Sequence, residues 1–252
     1  MIIANWKMNG TKQSVASWIE AVSSNINTKK INPCIFCPPS CYLEYARTLI
    51  DENNHHVEIG SQIVNHSFED ESLTGGISTT MLKDLRVEYV LVGHSEQRNF
   101  FKESNDVITH KIQKALDDEL SVIYCIGEDI DTKNKNETHL FLSKQLDLLG
   151  PLESMREDKL SSITVAYEPI WAIGSGLNAD KKYIEKTHEF IKKYINDNLG
   201  WGQLDIYPAV LYGGSVNLGN CEEIISSNDV DGLLIGGASL NSETFSKIYN
   251  LS

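Results

Sequence analysis

Eight short runs of apolar, often β-branched residues recur along the 252-residue chain, and longer stretches with helical spacing separate them. Strands that alternate with helices form βαβ units, whose strands lie parallel in one sheet. Eight such units can close into a (β/α)8 barrel, which usually takes about 250 residues, whereas an open, doubly wound sheet is the alternative that the pattern leaves. The predicted strands cover residues 2–6, 34–37, 57–62, 89–92, 122–126, 163–167, 206–211 and 232–235.

Two of the intervening stretches show helical periodicity most clearly. Apolar residues between Val107 and Leu116 fall on one stripe of a helix, and so do those between Tyr183 and Ile195. Asp180 precedes the second stretch, where its side chain can cap the first turn. No Pro/Ser-rich linker or shift in composition divides the chain, so we predict a single α/β domain, one (β/α)8 barrel over residues 1–252.

The charge balance argues against two classes of partner. There are 22 Lys and Arg residues against 35 Asp and Glu residues, which gives a formal net charge of −13. Proteins that bind nucleic acids or membrane surfaces usually present a basic face, so we expect neither partner. No apolar stretch is long enough to span a membrane, and the first residues lack the pattern of a signal peptide. Five cysteines, an odd number, are typical of reduced thiols, and we expect a cytoplasmic protein.

Polar residues stand where several of the predicted strands end, which is where a barrel of this kind places its chemistry. Asn5 and Lys7 lie at the end of the first strand, Gln62 ends the third, His94 follows the fourth and Glu168 follows the sixth. Alone, each type of residue has an ordinary interpretation: a surface lysine, a core histidine bonded to the backbone, or an exposed acid. Their occurrence together at one end of the predicted barrel favours an active site.

The surroundings of these residues indicate what each could do. Glu168 follows a buried strand, and burial would raise its basicity toward that of a useful proton acceptor. A helix predicted to begin at Ser95 would favour a neutral imidazole at His94, which could donate a proton to an oxyanion. Asn5 and Lys7 are two residues apart, so strand alternation would aim both side chains the same way.

Glycine pairs follow the last two predicted strands, as Gly213-Gly214 and Gly236-Gly237. Backbone N–H groups in such turns can approach an anion closely, and the loops after strands 7 and 8 commonly bind phosphate in barrels. The pairs therefore predict a phosphate site that acts at short range despite the negative net charge. Three early cysteines have metal-like spacing, but residues three apart in a strand point to opposite faces and no second pair completes a site, so we predict no metal.

Five segments of the sequence resemble the triosephosphate isomerase family, in order and at the expected strand ends. They are Asn-Trp-Lys-Met-Asn-Gly at 5–10, Gly-His-Ser-Glu at 93–96, Ala-Tyr-Glu-Pro-Ile-Trp-Ala-Ile-Gly-Ser-Gly at 166–176, Tyr-Gly-Gly-Ser-Val at 212–216 and Gly-Gly-Ala-Ser-Leu at 236–240. The resemblance implies a TIM barrel that interconverts dihydroxyacetone phosphate and D-glyceraldehyde 3-phosphate, a step of glycolysis and gluconeogenesis. It implies no metal and no other cofactor.

The resemblance also implies a role for each site residue. Glu168 would be the base that moves a proton between C1 and C2, and His94 would polarise and protonate the two oxygens, as described for the glutamate and histidine of this family. Lys7 and Asn5 would stabilise the charge of the enediolate. The phosphate would be held by backbone amides, those of Gly174, Ser215, Gly236 and Gly237.

The residues after Glu168 resemble the mobile lid of that family, which keeps water from the enediolate. Tyr212 and Ser215 match the groups that latch the lid shut. Ser175 stands where the family usually has Thr, and Leu177 stands where it mostly has Lys, so we expect the Leu177 change to alter the timing of the hinge and not the chemistry. The lid comprises Pro169, Ile170, Trp171, Ala172, Ile173, Gly174, Ser175, Gly176, Leu177, Asn178 and Ala179.

The loop around Thr74 resembles the interface loop of the family, so the resemblance implies a homodimer. Thr74 would reach toward Asn5 and His94 of the partner subunit. Gln97 replaces a usual Arg and Gly76 replaces a usual acid, two residues that pair across the dimer in relatives. One interface ion pair is therefore expected to be missing.

Two other functions remain open from the sequence. Another phosphosugar barrel enzyme, such as an aldolase, could use Lys7 to form a Schiff base, although a Glu/His pair with a lid suits proton transfer better. A non-catalytic scaffold could keep the same fold. The presence together of Asn5, Lys7, His94 and Glu168 argues against a scaffold.

Overall fold

The predicted strands form a closed parallel barrel whose strand order around the axis follows the order along the chain. The computed structural model describes residues 1–53, 55–65, 73–173 and 178–252. β1 closes the barrel, because Ile2 lies opposite Cys34 of one neighbour and opposite Leu233 of the other. An open, doubly wound sheet is thereby excluded. Within the described ranges the strands are β1 (Ile2–Asn5), β2 (Cys34–Cys37), β3 (Glu58–Ser61), β4 (Tyr89–Val92), β5 (Ser121–Ile126), β6 (Ile163–Tyr167), β7 (Val210–Tyr212) and β8 (Gly232–Ile235).

Helices alternate with the strands and pack on the outside of the barrel. In the part of the chain that the structure describes, none of them is long and apolar enough to cross a membrane. They are α1 (Lys12–Asn25), α2 (Leu43–Glu52), α3 (Thr79–Asp84), α4 (Ser95–Asn99), α5 (Asn105–Asp117), α6 (Ile130–Asn134), α7 (Thr138–Leu146), α8 (Glu157–Leu160), α9 (Lys181–Asp197), α10 (Cys221–Ile225) and α11 (Ser242–Leu251), with short 3-10 helices at Ser40–Tyr42, Asp147–Ser154, Ile170–Ala172, Trp201–Leu204 and Gly237–Leu240.

The two helices with the clearest sequence periodicity are confirmed. α5 begins after Ser104, whose hydroxyl accepts the N–H of Val107 at 3.3 Å. α9 begins after Asp180, whose carboxylate accepts the N–H of Tyr183 at 2.9 Å. These caps satisfy backbone donors that the first turn of a helix leaves without a partner, and they fix where each helix begins.

The strands are buried on both faces. Side chains that point inward form one cluster inside the barrel, whereas those that point outward pack against the helices. Burial on both faces explains why the strands are nearly continuous apolar runs in the sequence. The inner cluster contains Ile3, Ile35, Cys37, Leu91, Ile123, Cys125, Ala166, Leu211 and Leu234.

The seventh strand is shorter than the sequence predicts, because β7 begins at Val210 and not at residue 206. Pro208 has no N–H to donate to a neighbouring strand. Ile206 donates its N–H to the carbonyl of Trp201 at 3.1 Å, after Asp205 has taken a left-handed conformation with φ of 54°. Ile206 is buried in the core outside the sheet, so its apolar character comes from packing and not from strand pairing.

Candidate active site

A cavity of about 310 Å³ opens at the carboxyl end of the barrel, where the sequence predicts the chemistry. It brings together side chains that follow β1, β4 and β6 with backbone turns that follow β7 and β8. The fold therefore brings these distant segments together in one cavity. The lining residues are Asn5, Trp6, Lys7, Asn9, His94, Glu168, Ile173, Gly213, Gly214, Ser215, Val216, Leu234, Gly236, Gly237 and Ala238.

His94 and Glu168 are in direct contact on the floor of this cavity. Nε2 of His94 lies 3.0 Å from Oε1 of Glu168, and both side chains are almost fully buried. The N–H of Ser95 donates to the other carboxylate oxygen at 3.2 Å. Nδ1 of His94 accepts the N–H of Glu96 at 3.2 Å, so the imidazole caps α4 and carries its hydrogen on Nε2.

The pair shifts the pKa of each partner. Burial raises the pKa of Glu168, but His94, the Ser95 amide and Lys7 outweigh it, so that pKa lies below its usual value. Burial thus acts in the expected direction, but the groups around the carboxylate reverse the net shift in this arrangement. Burial lowers the pKa of His94, and the Glu168 carboxylate raises it above its usual value. Glu168 is thus a buried base that is held by two donors, and it becomes a stronger base only when those donors leave.

Lys7 reaches the cavity by a different route from the one that strand alternation predicts. β1 ends at Asn5, and Lys7 has a left-handed backbone with φ of 52°. Its N–H donates to Oδ1 of Asn5 at 3.1 Å, and Nε2 of Gln62 donates to both the Lys7 and Cys37 carbonyls at 2.9 Å. The side chains of Asn5 and Lys7 both line the cavity as expected. The reason is not strand alternation, because a turn held by hydrogen bonds orients the Lys7 side chain.

Glu96 is a site residue that sequence reasoning missed. Its carboxylate accepts from Nζ of Lys7 at 2.8 Å, and its other oxygen lies 3.7 Å from Nδ1 of His94. Glu96 thereby joins the ammonium to the segment that carries the imidazole. The available signal was its position in the first turn of the helix after His94, where an acidic residue also favours the helix dipole.

The turn after β8 presents glycine backbone to the cavity. Among the described residues, a Cβ atom added to Gly237 would have no neighbouring atom within 4 Å, and one added to Gly236 would lie 3.6 Å from Cε of Lys7. An anion can approach main-chain N–H groups where there is space over the backbone and an ammonium group lies nearby. The turn after β8 offers both.

The turn after β7 packs against the carboxylate. Gly213 donates its N–H to the carbonyl of Tyr167 at 2.7 Å, and a Cβ atom there would lie 2.9 Å from Cγ of Glu168. Glycine is therefore needed for Glu168 to occupy its position. The carbonyl of Ser215 accepts from Nδ2 of Asn220 at 2.9 Å, which fixes the far side of this turn.

The first part of the predicted lid is anchored to a buried carboxylate. Nε1 of Trp171 donates to Oε1 of Glu128 at 2.8 Å, and the hydroxyls of Tyr167 and Tyr183 donate to the same carboxylate at 3.1 and 2.7 Å. Nζ of Lys133 lies 3.4 Å from the centre of the Trp171 ring. No sequence signal predicted this cluster, because Glu128 lies outside the motifs. Four predicted lid residues, Gly174, Ser175, Gly176 and Leu177, lie outside the described residues.

The predicted latch residue Tyr212 is fully buried beside the second end of the lid. Burial raises the pKa of its phenol, and the backbone amide of Ala179 opposes that change. In the part of the chain that the structure describes, the hydroxyl makes no hydrogen bond of normal geometry. Within the described residues, Tyr212 thus lies close to Ala179 of the predicted lid, and its hydroxyl has no hydrogen-bond acceptor there.

The structure also gives the position of Thr74 and the arrangement of side chains that could bind a metal. Thr74 is exposed on the loop between β3 and α3, next to the half-exposed Leu73. Among the described residues, no group of three or more His, Cys, Asp or Glu side chains is placed to hold a metal ion.

Comparison with known proteins gives one consistent result. A family model described as triosephosphate isomerase matches residues 1–252. A triosephosphate isomerase of Alkaliphilus oremlandii is 35% identical over 252 residues, which cover 99% of this chain and 98% of the relative. Those of Neurospora crassa and Colwellia psychrerythraea are each 38% identical, covering 95% and 97% of this chain and 93% and 94% of the relatives. The chain belongs to the triosephosphate isomerase family.

Proposed function

We propose that this chain interconverts dihydroxyacetone phosphate and D-glyceraldehyde 3-phosphate, the isomerisation for which its relatives are named. The observation that carries the proposal is the contact between Glu168 and His94, 3.0 Å apart, in a cavity whose other end is made of glycine turns. A carboxylate and an imidazole supply a proton acceptor and a proton donor. The glycine turns supply a place for the phosphate of the same small molecule.

Glu168 is proposed to carry the proton between the two carbon atoms. Proton transfer requires the reacting carbon within about 3–3.5 Å of the carboxylate. His94 and Ser95 occupy that carboxylate in the free protein, so substrate must separate the pair as it enters. Loss of those donors removes the groups that lower the pKa of Glu168, and the carboxylate becomes more basic when the substrate is in place.

His94 and Lys7 are proposed to stabilise the enediolate. Nδ1 of His94 is occupied by the Glu96 amide, so the single hydrogen on Nε2 is the one available to the substrate oxygens once Glu168 has moved. Lys7 supplies a positive charge at the same end of the cavity, and Asn5 holds the backbone N–H of that lysine. Charge that develops on the two oxygens is thus met by groups already in position.

The phosphate is proposed to bind at Ser215, Gly236 and Gly237, together with Gly174 of the lid. The chain has a net charge of −13, so a diffuse field does not attract a phosphate ester. Backbone dipoles and one ammonium group act over a few ångströms, where the surface charge is screened. Closure of the lid over residues 169–179, with Tyr212 and Ser215 as the latch, would then exclude water.

A Schiff-base mechanism is the alternative. A lysine attacks a carbonyl only as the neutral amine, whereas the contact of 2.8 Å between Lys7 and Glu96 is one that the ammonium form makes. The same contact suits a lysine that supplies a fixed charge. The geometry around Lys7 therefore supports isomerisation over an aldolase reaction.

A coupled assay of the purified chain with each triose phosphate tests the proposal directly. We expect conversion in both directions without added metal or cofactor. Failure to convert either compound by a folded protein would reject the proposal. Reduction with borohydride in the presence of substrate separates the alternative, because a label on Lys7 would indicate a Schiff base.

We also propose that the chain acts as a homodimer in the cytoplasm. Met8, Phe100 and Phe101 are 96%, 78% and 72% exposed, and exposed apolar groups of this size favour burial against a partner. A second cavity of about 170 Å³, lined in part by Met8 and His94, opens beside the active site. Thr74 of a second copy is proposed to fill it. All five cysteines are free, which suits a reducing compartment.

The dimer is tested by its dependence on concentration. Activity should fall on dilution together with the dimer, because a residue from the second copy would position the catalytic groups. The absence of an ion pair between positions 76 and 97 should cost only about 0–1 kcal/mol, so the dimer should survive it. Sedimentation that shows a fully active monomer at micromolar concentration would reject this proposal.

A further inference from the structure

One backbone carbonyl behind the cavity accepts two indole N–H groups. Nε1 of Trp18, on α1, donates to the carbonyl of Ser239 at 2.7 Å, and Nε1 of Trp6 donates to the same oxygen at 3.3 Å. Ser239 is fully buried, and both tryptophans are 2% exposed. Trp6 lines the active-site cavity, whereas Trp18 does not. The shorter bond therefore comes from a residue outside the site.

Ser239 in turn holds the glycine turn. Its N–H and its hydroxyl both donate to the carbonyl of Gly236, at 2.9 and 2.7 Å. The carbonyl of Gly236 and the N–H of Gly237 belong to one trans peptide unit, so they point in opposite directions. Fixing the carbonyl toward buried Ser239 therefore aims the N–H of Gly237 away from Ser239, at a residue that lines the cavity.

Trp18 has little freedom to turn away from this carbonyl. Its ring stacks on Phe36 with centroids 4.4 Å apart at 23°, and it contacts Phe245 at 5.1 Å and Trp6 at 5.9 Å. A large aromatic side chain packed on several sides keeps one rotamer. The donor is therefore fixed before any ligand arrives.

We propose that Trp18 is a positioning residue for the phosphate end of the active site. It acts through Ser239 and Gly236 to hold the N–H of Gly237 in the orientation that a phosphate needs. The inference rests on the proposed phosphate role of this turn. It adds that the affinity for phosphate depends on a side chain of α1 that never touches the ligand.

The test is Trp18→Phe, which keeps an aromatic ring between Phe36 and Phe245 but removes the N–H. Loss of one neutral hydrogen bond should raise the KM for D-glyceraldehyde 3-phosphate about three- to tenfold and leave kcat nearly unchanged. Competitive inhibition by inorganic phosphate should weaken by a similar factor. The kcat/KM for unphosphorylated D-glyceraldehyde should not change, because that substrate does not use the turn.

Two control variants separate the hydrogen bond from packing. Phe245→Leu opens space in the same aromatic cluster without removing a donor, and Trp201→Phe truncates a buried tryptophan whose N–H has no partner among the described residues. Both should lower the temperature of unfolding and leave KM and phosphate inhibition unchanged. Ser239→Ala is the second test variant, because it removes one of the two bonds to Gly236, and its KM should rise about two- to threefold.

The outcomes distinguish this inference from the proposal beneath it. If Trp18→Phe and Ser239→Ala both keep the native KM and phosphate inhibition, the inference is wrong. It is also wrong if Phe245→Leu raises KM as much as Trp18→Phe does, or if the rate with unphosphorylated substrate falls in parallel. Gly237→Asp, which puts a carboxylate in the turn itself, tests the phosphate role alone. If Gly237→Asp kept the native affinity for inorganic phosphate, the proposed phosphate role of the turn would be wrong. The role of Trp18, which rests on it, would then be wrong as well.

Discussion

The two ends of the cavity are built in opposite ways. At the β4 and β6 end, side chains make their bonds to one another: His94 to Glu168, and Lys7 to Glu96. At the β7 and β8 end, the groups that face the cavity are mostly backbone, and their bonds run backward into the core, as from Gly236 to Ser239. In the proposed reaction the first end exchanges partners, whereas the second is set before the ligand arrives.

This difference predicts where substitutions act. A group that changes partners during the reaction affects the transition state, so its loss appears in kcat. A turn that is fixed in advance binds ground state and transition state alike, so its disturbance appears in KM. The predictions below test that division, beginning with the largest expected effect.

Glu168→Gln is expected to lower kcat by about 10²–10⁴-fold, because it keeps the shape of the side chain but removes the proton acceptor. KM should change little, since the phosphate end is untouched. Steady-state kinetics measure both constants. Glu88→Gln is the matched control, because Glu88 lies before β4 at the opposite end of the barrel and should keep native kinetics. Near-native turnover in Glu168→Gln would contradict the role of the base.

Lys7→Met is expected to lower kcat/KM by about 10²–10³-fold, the usual cost of removing one group that stabilises developing charge. Lys7 lies between the two ends, with Nζ on Glu96 and Cε near Gly236, so kcat and KM should both change. Lys192→Met removes an ion pair with Asp231 outside the cavity and should leave both constants unchanged. Circular dichroism checks that the fold is kept, and an active Lys7→Met protein would reject the proposed charge.

Gly237→Asp is expected to raise KM about ten- to a hundredfold with a smaller effect on kcat, because it places a negative charge where phosphate is proposed to bind. The fold should tolerate the change, since a Cβ atom at Gly237 has no neighbour within 4 Å in the described part of the chain. Gly150→Asp adds the same charge at another open glycine, on a 3-10 helix outside the cavity. A similar KM change in both variants would assign the effect to net charge and not to the turn.

The barrel was predictable because separate features of the sequence indicated the same secondary-structure elements. Apolar runs, helical stripes and caps such as Asp180 all indicated the same alternation of elements. The β7 start was wrong because Ile206 is buried by packing beside the sheet, which periodicity cannot separate from a strand. The placement of the strand-end residues in one cavity was equally predictable, since topology alone brings those ends together.

What the sequence could not supply is the set of partners that a residue finds across the fold. Glu96 is 89 positions from Lys7, and Trp18 is 221 positions from Ser239, so no local pattern links either pair. For the same reason, the direction of the shift in the Glu168 pKa could not be predicted from the sequence. Burial was evident from the strand before it, but the two donors that reverse the direction come from the segment after β4.

The final prediction uses the pH dependence of the His94–Glu168 pair. The pKa of Glu168 is lowered from 4.5, so its contribution to stability is present above about pH 4.5 and is lost as pH falls through the folded-state pKa. The pKa of His94 is raised from 6.5, so its contribution is present below about pH 6.5 and is lost as pH rises through the folded-state pKa. The pair should therefore stabilise the fold most between about pH 4.5 and 6.5, and the difference in unfolding free energy between the native protein and Glu168→Gln should be greatest there.

On the alkaline side of this pH range, activity should rise while the contribution of the His94–Glu168 pair to stability falls. The proposed donor is the neutral imidazole, whose Nδ1 accepts the N–H of Glu96. Turnover should therefore rise with pH as the imidazolium form of His94 loses a proton. It should reach its plateau at a pH where the His94–Glu168 pair contributes less to the stability of the fold. An NMR titration of His94 locates that pKa. In Glu168→Gln the carboxylate that raises it is gone while burial, which lowers it, remains, so the pKa should fall. The prediction is wrong if His94 stays charged across the activity plateau, or if its pKa does not fall in Glu168→Gln. Either result would contradict the division between a cavity end that changes partners and an end that is fixed in advance.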